Sequence, residues 1–288
     1  MSSNVIILGA NGQLGSDLVK VLGLNSNLNI IKITRNELDA ILHTNQIKVK
    51  LEQYNADVII NCIATTNVDW CEENSLMAWQ INSDFVLRLA QFCNQKQITL
   101  IHLSTDYVFD GFNQLAYQEF DMAQPQNIYG LSKYAGELAL DAYHDKYFIF
   151  RVSGLFGING ASGKGGNFIT TMQKLATTKD ELKIIVDQVS NPTSTLAVSR
   201  CIAFFIHERI EEYGLYHCVS QNSCSWYDFA REILRLSNLD VSKIKPIEFI
   251  DYTFRANRPQ NSVLSTDKLA QYFNMPLWED SLSEYFSL

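Results

Sequence analysis

The sequence predicts an α/β protein, a doubly wound parallel sheet with a smaller, discontinuous C-terminal lobe. Three observations carry this. Short, wholly apolar runs recur through the first half, amphipathic stretches of helical period lie between them, and a glycine-rich turn joins the first run to the first helix. Runs that are apolar throughout suit strands buried on both faces, as in a parallel sheet covered by helices. The crossovers of such a sheet should be right-handed.

The elements follow in order. VIIL (5–8) is the first strand, and Gln13 to Leu24 is a helix with Leu14, Leu18, Val21 and Leu22 on one side. IIKI (30–33) is the second strand, Thr44 to Tyr54 a helix, and DVIINCIA (57–64) the third strand. Ser75 to Asn94 reads as one long helix, ITLIHL (98–103) as the fourth strand, Ile128 to Tyr143 as a helix and YFIFRV (147–152) as the fifth strand. The second half is less regular. Gly154 to Gly166 carries six glycines and reads as a long loop. NFITTMQKLA (167–176) reads as helix, LKIIV (182–186) as strand, and SNPTS (190–194) as a turn whose serine caps a helix running to His207. GLYHCV (214–219) is a strand and SWYDFAREILRL (225–236) an amphipathic helix. The expected division is a sheet domain over 1–153 that also receives about 187–222, and a lobe from 154–186 and 223–288.

Composition narrows the function classes. The net charge of −8 and the lack of a basic stretch argue against nucleic acid as a partner. No apolar run approaches the roughly 18 residues that cross a bilayer. The N-terminus enters a strand pattern with no basic leader region, so no signal peptide is expected. The six cysteines form no CxxC pair and the histidines no HExxH, so no metal site is expected and the thiols read as reduced, in a cytoplasmic protein.

LGANGQLG (8–15) places Gly9, Gly12 and Gly15 between the first strand and first helix. Glycines there allow a tight turn and let a pyrophosphate approach the helix N-terminus, where free N–H groups favour anions. The alternative is a plain strand–helix turn. After the second strand, an acid would hold a ribose 2′-hydroxyl and a basic residue a 2′-phosphate. Arg35 stands there, with no acid before Glu37, which leans toward NADPH; a solvated surface arginine is the competing reading. Tyr129 and Lys133 lie four apart on a helix, hence on one face. A lysine beside a phenol stabilises the phenolate, so the pair can pass a proton near neutral pH. An ordinary Tyr–Lys surface pair gives the same spacing.

The three motifs together, with the strand ending in STD (104–106), have the layout of extended short-chain dehydrogenase/reductases, a Rossmann-type fold. The chain resembles the dTDP-4-dehydrorhamnose reductase family over nearly its whole length. NGQLG (11–15), NCIATTNVD (61–69), STDYVFDG (104–111), IYGLSKYAGE (128–137), GGNFITTM (165–172), DQVSNPT (187–193), SWYDFA (225–230) and RPQNSVLST (258–266) carry the resemblance. It implies that Gly12, Gln13 and Leu14 meet the dinucleotide phosphates, that Asp39 and Ala40 lie near the adenine, and that Ala64, Thr65 and Thr66 line the cofactor. It implies that Leu103 lies on the nicotinamide side and that Thr105 and Asp106 face the sugar nucleotide, with Thr105 bonded to the carbonyl oxygen. It implies that Tyr129 is the proton donor and that Lys133 holds the nicotinamide ribose and tunes Tyr129. The implied reaction is NADPH- or NADH-dependent reduction of the C4 carbonyl of a dTDP-4-dehydro-6-deoxy sugar, for cell-surface polysaccharide precursors. A homodimer stands open.

Two positions depart from the family's pattern. RVSGLFG puts Gly154 where a substrate-packing tryptophan is usual, so either the pocket wall comes from elsewhere, with Phe156 or Trp226 as candidates, or the pocket is larger; core packing is the favoured reading of Trp226. Trp70 stands where a charged residue is usual. Arg258 reads either as a donor to the substrate diphosphate or as a structural ion pair. Asn167 reads as a substrate contact or as the start of a helix that docks the lobe. Asp187 and Gln188 read as fixing the junction between lobes, and Glu119 and Asp121 as solvated loop charges. Two rivals remain: another nucleotide-sugar 4-ketoreductase or an epimerase, which would hold NAD without consuming it, and a non-catalytic dinucleotide-binding regulatory subunit, which has no need of a Thr–Tyr–Lys set.

Overall fold

The computed structural model describes residues 3–41, 44–160 and 166–288. Its first half alternates as expected: β1 (Ser3–Leu8), α1 (Gln13–Leu22), β2 (Leu28–Ile33), α2 (Thr44–Glu52) and β3 (Val58–Asn61). The helix expected over 75–94 runs on to residue 96 but divides. Following α3 (Val68–Glu73), α4 (Ser75–Trp79) passes through a π-helical stretch, Gln80–Asp84, into α5 (Phe85–Lys96). Then come β4 (Thr99–Thr105), α6 (Ile128–Tyr143) and β5 (Tyr147–Val152). The second half gives β6 (Leu155–Phe156), α7 (Phe168–Thr178), β7 (Leu182–Ile185), β8 (Val189–Ser190), β9 (Thr193–Ser194), α8 (Thr195–His207), β10 (Gly214–His217), β11 (Cys224–Ser225), α9 (Trp226–Leu236), β12 (Ile244–Ile247) and α10 (Trp278–Ser287). Two segments differ from expectation. SNPTS is two short strands rather than a turn alone, though Ser194 does cap α8 through the Leu196 N–H. The glycine loop includes β6, and its residues 161–165 lie outside the described residues.

Six parallel strands form one sheet in the order β10-β5-β4-β3-β1-β2. The order reverses between β1 and β3. In an open parallel sheet, ligands bind in the crevice at the carboxyl ends of the strands flanking that point. Val5 to Leu8 are wholly buried, as a central strand covered on both faces requires. One face packs on α1 and α8, where Thr195 donates to the buried Asp17 carboxylate at 2.6 Å. The other packs on α2, α5 and α6. A third core, around Phe156, Ile169, Met172, Phe229, Ile233, Trp278 and Leu282, joins α7, α9 and α10 in the lobe. β6, whose Phe156 sits in this third core, pairs with β9 just ahead of α8. Asp187 and Gln188 pin the C-terminal tail: Asp187 accepts from the Phe249 N–H and the Gln260 amide, and Gln188 donates to the Pro259 carbonyl.

Helix α6 is held to β5 by a buried pair. Arg151 meets Glu137 in a fork, at 3.0 and 2.6 Å, both side chains being at most 5% exposed, and the guanidinium lies over the Phe109 ring. Removing one member leaves the other charged and dry, which costs more than the pair is worth as a whole. Arg151→Met should therefore lose about 3–5 kcal/mol in chemical denaturation, and the double change Arg151→Met with Glu137→Leu should recover most of it.

Candidate active site

Glycine loop geometry comes first. Gly9 follows β1 with φ +75°, a left-handed conformation that glycine adopts freely. A Cβ on Gly15 would stand 2.2 Å from the Gly9 carbonyl oxygen, so loop and helix pack as closely as two backbones can. The α1 N-cap, Gly12, offers no side-chain acceptor, and the Gln13 side-chain amide nitrogen is buried without a partner. Uncapped helix N–H groups and an unspent amide donor at the switch point fit a pyrophosphate. Leu14 is buried in the sheet core, so its contribution to such a ligand is its backbone.

The adenosine end lies after β2. Glu37, the nearest acid, is tied into a turn, accepting from the Thr34 N–H and hydroxyl, and these bonds hold its carboxyl below the usual range. Arg35 is 78% exposed, 4.0 Å from Asp39, whose carboxylate also accepts from the Ile41 N–H. Ala40 is buried, with its carbonyl bonded to Arg88.

Across the crevice, Ala64, Thr65 and Thr66 follow β3. Asn82 in the π-helical stretch accepts from the Thr65 N–H at 3.0 Å, and its amide donates to the Thr65 carbonyl and to Ser132 of α6. An inserted residue in a helix re-aims side chains and is common at functional sites. Here it turns Asn82 inward to fix the loop.

Strand β4 and helix α6 deliver the chemistry-bearing groups. Asn127 caps α6 through the Gly130 N–H, and Glu72 accepts from the Ile128 N–H. A Cβ on Gly130 would meet the Tyr107 carbonyl oxygen at 2.1 Å, so the start of α6 presses on the turn that follows β4. Tyr129 is thereby brought beside Thr105, and its ring meets Tyr107 edge-on. Burial pushes the Tyr129 phenol up. Lys133, one turn on, is 2% exposed. Its Nζ donates to the Leu103 carbonyl at 2.5 Å and lies 3.3 Å from His102. In this structure the Nζ of Lys133 meets the Leu103 carbonyl rather than Tyr129.

Asp106 also differs from expectation. Its carboxylate is turned into the protein and meets three hydroxyls: Thr105 at 3.0 Å, Ser153 at 2.8 Å and Ser262 at 2.6 Å. Burial raises its carboxyl despite these bonds. It clamps the ends of β4 and β5 and the tail together.

Asn167 follows the second of its two readings, the helix start. It caps α7, its Oδ1 accepting from the Thr170 N–H and its amide donating to the Gly157 carbonyl, so both ends of the side chain are spent. Phe156 is fully buried in the lobe core and cannot wall a pocket. At Gly154 (φ +51°), a Cβ would stand 3.7 Å from the tip of Trp226 and 3.3 Å from Pro192. Arg258 forms the ion pair with Asp69 at 3.1 Å and covers the Phe254 ring. Glu119 is no solvated charge, because it accepts from the His217 N–H. Sequence reasoning passed over Asn61, Asn82, His102, Ser153 and Ser262. Polar residues inside apolar strand runs, as at Asn61 and His102, were the available signal.

A family model described as RmlD substrate binding domain matches residues 3–288. The chain belongs to this family. A dTDP-4-dehydrorhamnose reductase of Escherichia coli (strain K12) is 32% identical, the match covering 96% of this chain and 94% of that protein. A dTDP-4-keto-6-deoxy-D-glucose reductase of Streptomyces niveus is also 32% identical, over 100% of this chain and 98% of its own. A crystal structure of dTDP-4-dehydrorhamnose reductase from Bacillus anthracis str. Ames, in complex with NADP, superposes with a TM-score of 0.92 at 34% identity, covering 100% of this chain and 99% of that one. The fold is therefore the Rossmann-type α/β fold of RmlD-family proteins, with a central parallel sheet.

Two outcomes follow from the clamp and the loop. Ser262→Ala removes one donor from the buried carboxylate and should cost about 1–3 kcal/mol by denaturant titration, an effect absent for Ser242→Ala in an exposed turn. Gly15→Ala should abolish dinucleotide binding in calorimetry, since its Cβ cannot fit without shifting the phosphate loop.

Proposed function

We propose that the protein reduces the C4 carbonyl of a dTDP-4-dehydro-6-deoxy sugar, specifically dTDP-4-dehydro-L-rhamnose to dTDP-L-rhamnose, with NADPH. The observation that carries this reading is the placing of Tyr129 beside Thr105 at the end of β4, with Lys133 one turn on, beside a crevice whose helix N-terminus is uncapped. The bound dinucleotide supplies a hydride. Every other part of the reaction falls to side chains of this chain.

Gly9, Gly12 and Gly15 open the α1 N-terminus to the pyrophosphate, with the Gln13 amide as an additional donor. Arg35 is the group for a 2′-phosphate, because Glu37 is committed to Thr34. Tyr129 keeps its proton through the neutral range and is the group placed to give it to the substrate oxygen. As the hydride reaches C4, the carbonyl electron pair moves to oxygen, and Tyr129 protonates that oxygen. Solvent then restores the Tyr129 proton.

Thr105 has one proton. With Asp106 ionised, that proton is committed to the carboxylate, so Thr105 serves to aim Tyr129 rather than to donate to the substrate. Trp226 is the apolar wall beside Gly154, standing where a sugar ring would pack. The six free cysteines suit a reducing cytoplasm, where nucleotide sugars and NADPH are made.

Following absorbance at the reduced nicotinamide with dTDP-4-dehydro-L-rhamnose tests the assignment. Consumption of NADPH with stoichiometric dTDP-L-rhamnose supports it. Interconversion of sugars without net cofactor loss would make the protein an epimerase. Tyr129→Phe should lower kcat by about 10²–10⁴ while NADPH still binds. Arg35→Ala should raise KM for NADPH by about tenfold and leave KM for NADH unchanged, as loss of a charged phosphate contact requires.

A further inference from the structure

Lys133 has two contacts in this structure, and they ask different things of it. The Leu103 carbonyl accepts a hydrogen bond. His102 could donate or accept, and Asn61 decides which. Asn61 and His102 are register partners on the adjacent parallel strands β3 and β4, so their side chains share a face. The Asn61 Oδ1 accepts from the Ile63 N–H at 3.1 Å. The atom facing His102 Nδ1 at 3.1 Å is therefore the amide nitrogen, which only donates.

The lone pair of the imidazole must then sit on Nδ1, and the ring proton on Nε2. A doubly protonated ring would set N–H against N–H at Asn61. Burial and the Lys133 charge also hold His102 well below its ordinary range. An N–H bond thus points at Lys133 Nζ. An ammonium has no lone pair to accept it, whereas a free amine does.

We propose that Asn61 and His102 are positioning residues that bias Lys133 toward its free amine, so that a dinucleotide whose ribose hydroxyls engage the ammonium binds with uptake of a proton. The second half of this rests on the cofactor reading above. The surroundings permit it. Cys62, at the end of β3, is pushed up to about 12 by burial and stays neutral. Tyr129, one turn earlier on α6, stays protonated. Glu137, one turn later, is paired with Arg151 of β5. His102 is the group from β4. Burial holds Lys133 down to about 8, with the Glu137 charge opposing.

The sign follows. Below about pH 8 Lys133 already carries its proton, and binding takes up none. Above it the unliganded protein holds the amine, so binding must recruit a proton, and affinity falls as pH rises.

The test begins without cofactor. In protein labelled at the lysine side chains, the resonance lost in Lys133→Arg should titrate near 8. His102→Gln, which can present a carbonyl oxygen to Nζ, should move that midpoint up by about one unit or more. Asn61→Asp, whose carboxylate would accept from Nδ1 and shift the ring proton off Nε2, should move it the same way. A Lys133 midpoint near 10.4, or one that neither variant moves, overturns the proposal. Calorimetry of NADPH binding in two buffers of unlike ionisation enthalpy should then show proton uptake at about pH 8.5 and none at about pH 6.5. Binding without uptake at the higher pH overturns the coupling. Failure of NADPH to bind at any pH overturns the cofactor reading instead, and leaves Lys133 to be judged by its titration.

Discussion

The Asp106 carboxylate, buried against three hydroxyls, is the constraint on which the site depends. A buried carboxylate is tolerable only when its lone pairs are met. Thr105, Ser153 and Ser262 meet them, and they come from the end of β4, the residue after β5, and the C-terminal tail. Satisfying one charge therefore forces three distant segments together. Two of them belong to the sheet; the third comes from the tail that Asp187 and Gln188 pin. The clamp also commits the Thr105 proton and thereby fixes the oxygen that Tyr129 faces.

The second half of the site is imposed from α6. Its start is driven onto the turn after β4 by Gly130, which leaves no room for a side chain, and its middle is locked by Glu137 to Arg151. Between these anchors Tyr129 and Lys133 have little freedom. Lys133 ends on the Leu103 carbonyl, the acceptor within its reach. The site is thus preorganised by groups that never touch a substrate, and electrostatic catalysis benefits from such rigidity.

Much of the fold was legible in the sequence. The apolar runs at 5–8, 147–152 and 58–61 are strands because a parallel sheet buries both faces, and 128–143 is a helix to the residue because Asn127 caps it. What failed to show was long-range hydrogen bonding. Nothing in STD says that Asp106 turns inward, since its partners Ser153 and Ser262 are 47 and 156 residues away. Asn167 was open between two readings because a cap and a ligand contact use the same side-chain atoms. The π-helical stretch was invisible, because a helical period tolerates one inserted residue without losing its apolar face.

The central claim is that Asp106 works through Thr105. A double-mutant cycle on kcat/KM, combining Asp106→Asn with Thr105→Val, measures this directly. If the carboxylate matters because it holds Thr105 against Tyr129, then Asp106→Asn should have little further effect once Thr105 is valine, and the two losses should be strongly non-additive. Losses that simply add would contradict the account, since they would give Asp106 a role in the reaction independent of Thr105.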